Sequence, residues 1–302
     1  MAALSTLFDP ILPVFTIMVI GFLMGRGGRM SQEQARHINA FAMSVLLPLM
    51  LIGFMSEMDL GQFQLTPILL YGATEIVVFA AGFCVARYLF HAGGRESVLL
   101  AFSGVFANNA YYVLPISVLL YGAENALPVT AVVALDATFT FGSIVILLQI
   151  IELGHARPLV VLKRLAVSPI LQGIAVGVAI AVSGVTLPAP IKTFLSFNAV
   201  AAAPVGLFAL GVVLSATKFS TDRVVVTFSA VQLIIFPSLV LLVMHLWTTD
   251  PSAFDLYVLA SAGPAGAMGF SLALLHGVRS ERIAQVMVWT SLLSLITLAL
   301  LT

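Results

Sequence analysis

Residues 103–122, SGVFANNAYYVLPISVLLYG, set two adjacent amides, Asn108 and Asn109, and a proline, Pro115, in the middle of an apolar stretch long enough to cross a bilayer. Proline removes a main-chain donor and crowds the carbonyl one turn earlier, so a helix here opens backbone groups near mid-membrane. Such groups are tolerated only where protein or a water-filled cavity replaces lipid. The stretch reads as a broken crossing, with Asn108, Asn109, Tyr111, Tyr112 and Pro115 as candidate lining residues. Hydrogen bonding between helices or repair of the break is the structural alternative for the asparagines. A second stretch, SAGPAGAMGFS at 261–271, carries Gly263, Pro264, Gly266 and Gly269, which permit a break and close helix approach, and Met268 joins its candidate lining. If the two breaks cross, amide ends of half-helices converge on a small polar volume that can hold an anion without a buried arginine.

Working outward, the 302 residues are 61% hydrophobic and 9% charged, more apolar than a soluble core requires. Apolar runs recur from end to end, and the expected crossings are 8–25, 33–56, 67–90, 97–120, 126–151, 165–183, 192–215, 224–247, 254–276 and 281–301, all helical because lipid leaves an open strand edge unpaired. The expected fold is an all-α polytopic membrane protein of ten crossings, with 4 and 9 broken. The opening, MAALSTLFDPILP, lacks a basic n-region and is read as mature chain. Arg26, Arg29, Arg36, Arg87, Arg95, Arg157, Lys163, Arg164, Lys218, Arg223, Arg279 and Arg282 all fall on one side of this layout, and Lys192 alone falls opposite. Basic residues are retained on the cytoplasmic side, so both termini are expected on the outer side, with Asp9, Glu57, Asp59, Glu124, Asp250 and Asp255.

The two halves, 1–151 and 152–302, resemble each other. Pro13, Gly21, Gly28, Phe41 and Pro48 correspond to Pro169, Gly177, Gly184, Phe197 and Pro204, each pair 156 positions apart, and Gly122 pairs with Gly277 at 155. Five crossings per half makes such repeats antiparallel, a route to alternating access. Asn108-Asn109 then stands opposite Gly263-Pro264.

The opening LPVFTIMVIGFLMGRGG followed by INAFAMSVLLPLML, the run SPILQGIAVGVAI, the segment LPAPIKTFLSFNAVAAAPVGLFALGVVL and the Asn-containing break of crossing 4 together resemble the auxin efflux carrier family, over nearly the whole chain. That family includes plant auxin carriers and presumed malonate and malate permeases. The resemblance implies two inverted five-helix repeats, crossings 4 and 9 unwound at the substrate site, and an elevator motion like that of bile-acid and sodium/proton carriers. Crossings 1, 2, 6 and 7 would form the scaffold, with a homodimer contact through 2 and 7, and crossings 3–5 and 8–10 would carry substrate. It also implies residence in a bacterial inner membrane. Crossing 9 departs from the pattern in offering few side-chain donors.

Two carboxylates fall inside crossings, Glu75 in crossing 3 and Asp136 in crossing 5. An ionised carboxylate facing lipid is costly, so each faces protein or water or takes up a proton. Both are candidates for coupling to H⁺ or Na⁺, against the alternative of structural acids bonded to hydroxyls. Gln149, Gln172 and Gln232 either line the moving interface or satisfy breaks locally, His276 reads as a helix-end surface residue, and Asn39 and Asn198, in crossings 2 and 7, read as joining scaffold helices rather than binding substrate. Balanced charge with scattered basic residues excludes a nucleic-acid groove. The single cysteine, Cys84, and five dispersed histidines provide no metal cluster, no cofactor site and no enzyme motif. The expected activity is secondary transport of a small organic anion, a carboxylate or auxin-like acid. Sodium-coupled uptake like that of bile-acid carriers stands as the alternative, and a channel or membrane sensor as a third class.

Overall fold

The computed structural model describes residues 2–58, 64–122, 125–155, 158–217, 220–247 and 251–301, without the side chains of 2–11, 164, 251–253 and 299–301. Asp59, Glu124, Arg157, Lys218 and Asp250 of the charge layout lie outside the described residues, as do the side chains of Asp9 and Arg164. All described elements are helices, apart from one isolated β-bridge. In chain order they are α1 Ala2–Arg26, α2 Gln32–Glu57, α3 Leu65–Leu89, α4 Gly94–Ser103, α5 Asn109–Tyr121, α6 Leu127–Leu153, α7 Pro158–Ala166, α8 Pro169–Ser183, α9 Ala189–Ser215, α10 Arg223–Trp247, α11 Pro251–Ser261, α12 Met268–Leu275 and α13 Glu281–Leu301. Five of them, α2, α3, α6, α9 and α10, are individually long and apolar enough to cross a bilayer. The protein is an all-α polytopic membrane protein.

Proline placement explains the local geometry of several helices. The π-helical turns at Ala42–Leu46, Asn109–Val113 and Val231–Ile235 each end two residues before a proline, Pro48, Pro115 and Pro237. The carbonyls four residues before these prolines, on Ser44, Tyr111 and Leu233, are those that the ring would strike in a regular helix. A wider turn moves them aside, and the N–H groups of Leu47 and Phe236 accordingly reach back five residues to Ala42 and Val231. Pro115 therefore does not make the break in crossing 4. The chain leaves helical geometry earlier, at 104–108, and Pro115 lies inside α5 where the π turn accommodates it.

The described chain forms two compact units. Unit 1 comprises 1–64, 110–137 and 163–216 and includes α1, α2, α8 and α9. Unit 2 comprises 65–109, 138–162 and 217–302 and includes α3, α4 and α10–α13. The divisions at 109/110 and 137/138 fall at the start of α5 and inside α6.

Within unit 1, small residues let backbones meet. A Cβ on Gly21 of α1 would strike the Phe208 carbonyl of α9, and one on Gly177 of α8 would lie 3.1 Å from the Ile52 carbonyl oxygen of α2. The 156-residue offset that relates Gly21 to Gly177 also relates Ile52 to Phe208, so the same contact is built twice. Lys192, the basic residue out of line with the rest, pairs with Glu57 at 3.0 Å. Asn198 is partly exposed and donates to the Phe194 carbonyl of its own helix at 2.8 Å.

Unit 2 gathers several helix ends at one pole. Arg282 of α13 binds Asp222, the N-cap of α10, at 2.8 Å and Glu96 of α4 at 3.4 Å. Glu152 of α6 binds His276 at 3.0 Å and lies 3.9 Å from Arg95, whose guanidinium donates to the His276 carbonyl. The His276 side chain is only 12% exposed, less free than a surface histidine.

Candidate functional site

The breaks at 104–108 and 262–267 pair with each other inside unit 2. The Asn108 N–H donates to the Pro264 carbonyl at 2.8 Å, the Gly266 N–H donates to the Phe106 carbonyl at 2.8 Å, and Ala107 and Ala265 form an antiparallel bridge. A Cβ at Gly266 would lie 2.8 Å from the Phe106 ring, so any other residue there forces that ring to shift. Pro264 supplies only the acceptor that the pairing uses.

Ending a helix in the membrane leaves orphan backbone groups, and more distant side chains take them up. Gln232 of α10, fully buried, donates to the carbonyls of Ser261 at 3.1 Å and Gly263 at 3.0 Å, closing the C-terminal end of α11. The Thr290 hydroxyl of α13 accepts from the Ala265 N–H at 3.0 Å and donates to the Val286 carbonyl at 2.7 Å. Gln232 thus repairs the break, the local role weighed for it, and Gln172 likewise bonds the Ala166 carbonyl across the interruption between α7 and α8. Thr290, Phe106, Ala107 and Ala265 were not singled out from the sequence. The signal for Thr290 was the adjacent polar pair Thr290-Ser291 midway along α13.

Two helix N-termini adjoin the paired segment along the chain, α5 beginning at Asn109 and α12 at Met268, while α4 and α11 end at Ser103 and Ser261. The free N–H groups and dipole of an N-terminus favour negative charge, so the local backbone suits an anion. Asn108, Asn109, Gly263, Pro264 and Gly266 are buried and belong to unit 2 with the partly exposed Met268. Tyr111, Tyr112, Pro115 and Asp136 belong to unit 1. There the Tyr111 ring lies on the bare face of Gly206 in α9, and its buried hydroxyl has no hydrogen-bond partner among the described residues. Tyr112 is wholly enclosed.

Both intramembrane carboxylates are buried, each 3% exposed. Thr140 donates to Glu75 at 3.0 Å, tying α3 to α6 within unit 2. Asp136 opens the π turn Asp136–Thr140 that this same threonine closes. A π turn is a frequent mark of a functional position in a helix. No group of metal-ligating side chains occurs among the described residues.

The family model described as "Membrane transport protein" matches residues 6–156 and 155–302. The chain belongs to the auxin efflux carrier family. Members of this family move solutes across membranes, so the protein is a transporter and not an enzyme. A protein of Rhizobium meliloti (strain 1021) named "Putative malonate transporter" is 26% identical to this carrier over 298 residues, which span 95% of this chain and 92% of the relative.

Proposed function

We propose that the carrier is a secondary transporter of a small organic anion, a carboxylate of malonate size being the first solute to test. The observation that supports this most is the pairing of the two interrupted segments through Asn108 to Pro264 and Gly266 to Phe106. It leaves the N-termini of two half-helices beside a buried amide pair, a favourable setting for a carboxylate. In this reading Asn108, Asn109, Tyr111, Tyr112, Pro115, Gly263, Pro264, Gly266 and Met268 contact or frame the solute. The name of the similar Rhizobium meliloti protein adds weight to a dicarboxylate.

The mechanism we propose is elevator-type alternating access by ten crossings in two inverted repeats. The contact of Gly21 with Phe208, repeated by Gly177 with Ile52, supports the internal symmetry. In this reading crossings 3–5 and 8–10, formed by α3–α6 and α10–α13, carry the solute while α1, α2, α8 and α9 form the scaffold, and a homodimer forms through α2 and α9. Phe41 and Phe197, repeat mates that are 52% and 78% exposed on those helices, support that interface. The carrier sits in a bacterial inner membrane with both termini outside, and Glu75 and Asp136 couple transport to H⁺ or Na⁺.

Purified carrier in liposomes is expected to accumulate labelled malonate or a related carboxylate under an imposed gradient, to show counterflow, and to lose both on Asn109→Ala. Folded protein that moves none of a broad panel of labelled acids would sink the proposal. Uptake that persists unchanged when all Na⁺ is replaced favours H⁺ as the coupling ion over a bile-acid-carrier scheme.

A further inference from the structure

Away from the crossing, unit 2 bears a groove of about 450 Å³ between the first half of α10 and the middle of α13. Its floor and rims include Val225, Val226, Ser229, Leu233, Trp289 and Ile296. Val226, Ile234 and Ile296 are 59%, 59% and 60% exposed, so the groove opens outward along an apolar face. From Arg223 to Ile234 the helix rises about 16 Å, close to half of a hydrocarbon core of about 30 Å. The groove's own α10 lining, Val225 to Ile234, covers about 14 Å of that rise, nearly the depth of one leaflet.

Three features distinguish it from an ordinary lipid-facing surface. Ser229 lines it at 6% exposure, and its hydroxyl has no hydrogen-bond partner among the described residues although a serine in a helix can ordinarily bond the carbonyl one turn back. Burying such a hydroxyl without a partner costs free energy, which a rotamer turning it onto an acceptor of a molecule bound in the groove would recover. Second, Arg223 opens α10 two residues before the lining residue Val225 and falls at helical spacing from the lining residues Val226 and Ala230, whereas the neighbouring Arg282 is already held by Asp222 and Glu96. Third, the Trp289 indole donates to the Ser220 carbonyl at 3.1 Å, which anchors its ring over the groove at the same end.

We infer that this groove is a binding site for one anionic diacyl phospholipid of the leaflet on the Arg223 side. The phosphate pairs with Arg223, a glycerol ester carbonyl accepts from Ser229 about 9 Å deeper along the helix, and an acyl chain fills the channel past Leu233, Leu293 and Ile296. Polar depth, charge and length follow the order of parts in such a lipid.

Trp247→Phe leaves Trp289 as the sole tryptophan and a reporter inside the groove. This variant, in phosphatidylcholine vesicles, is titrated with a few mole per cent of phosphatidylglycerol carrying brominated acyl chains, with brominated phosphatidylcholine at the same fraction as the comparison. The expected result is severalfold stronger quenching by the anionic lipid, reversed by excess unlabelled phosphatidylglycerol. Adding Arg223→Gln should equalise the two lipids, and Ala230→Phe should abolish the excess by filling the channel. Equal quenching by both lipids, proportional to their mole fraction, or no reversal by unlabelled lipid, overturns the inference. The competition arm needs no groove variant, so a misfolded Ala230→Phe protein does not rescue the idea.

Discussion

Replacing Thr290 by valine tests whether the crossing is held from outside itself. Valine keeps the shape of threonine, so no cavity forms, but it removes the oxygen that accepts the Ala265 N–H at 3.0 Å. The Val286 carbonyl loses a second donor and keeps its helical one. The loss is therefore one buried amide left unpaired, in principle about 1–3 kcal/mol. Bonds measured between helices inside membranes average only about 0.6 kcal/mol and reach about 1.7, so we take about 1 kcal/mol. That is about a fivefold rise in the opening of the paired segment. Amide hydrogen exchange of peptides covering 262–267, in nanodiscs, reads this directly. Thr290→Val should exchange about five times faster there with little change in α1 or α9, and Thr290→Ser should behave as the native protein. Identical protection in native and valine forms would mean that Ala265 does not depend on Thr290, and the account of how the break is sealed fails.

Gly21→Leu and Gly177→Leu should each destabilise the protein by about 1–3 kcal/mol through overpacking, against the Phe208 carbonyl in the first case and the Met55 side chain and Ile52 carbonyl in the second, and each should lower the melting temperature in detergent; two unaltered melting curves would refute the paired close approach. Glu75→Gln should retain the contact with Thr140 and flatten the dependence of uptake on external pH, and an unchanged pH profile would remove Glu75 from the coupling scheme. Asp222 offers a pH test on the exposed pole. Burial raises its carboxyl somewhat, but the Val225 N–H and Arg282 outweigh that and hold it below the usual carboxylate value. A lowered folded-state value stabilises above the unfolded value, and the effect is lost as pH falls through the folded one. Native protein should thus exceed Asp222→Asn in stability near neutrality, by at most about 1 kcal/mol for a half-exposed pair. The gap should close in acid, and a gap that widens there contradicts the assignment.

Both crossings were legible as broken, the second because its glycines and proline act on the backbone that carries them. Even so, Pro115 misled by a few residues, since a π turn can absorb a proline that a regular helix cannot. Gln232 was ambiguous for a different reason. Its sequence neighbours are apolar, and its partners, the carbonyls of Ser261 and Gly263, lie in another helix. The same holds for Glu75, whose partner Thr140 is contributed by α6.

By itself the chain determined that it is helical and lives in lipid, where its basic residues congregate, and where two of its crossings fail. Those properties depend on composition and on local backbone chemistry, which neighbours along the chain decide. Only the tertiary structure decided that the two failures pair with each other, that Thr290 and Gln232 seal them, and that α6 divides between two compact units at 137/138. An amide freed in the membrane accepts any suitable partner within about 3 Å, and which side chain arrives there is set by the packing of helices far apart in sequence.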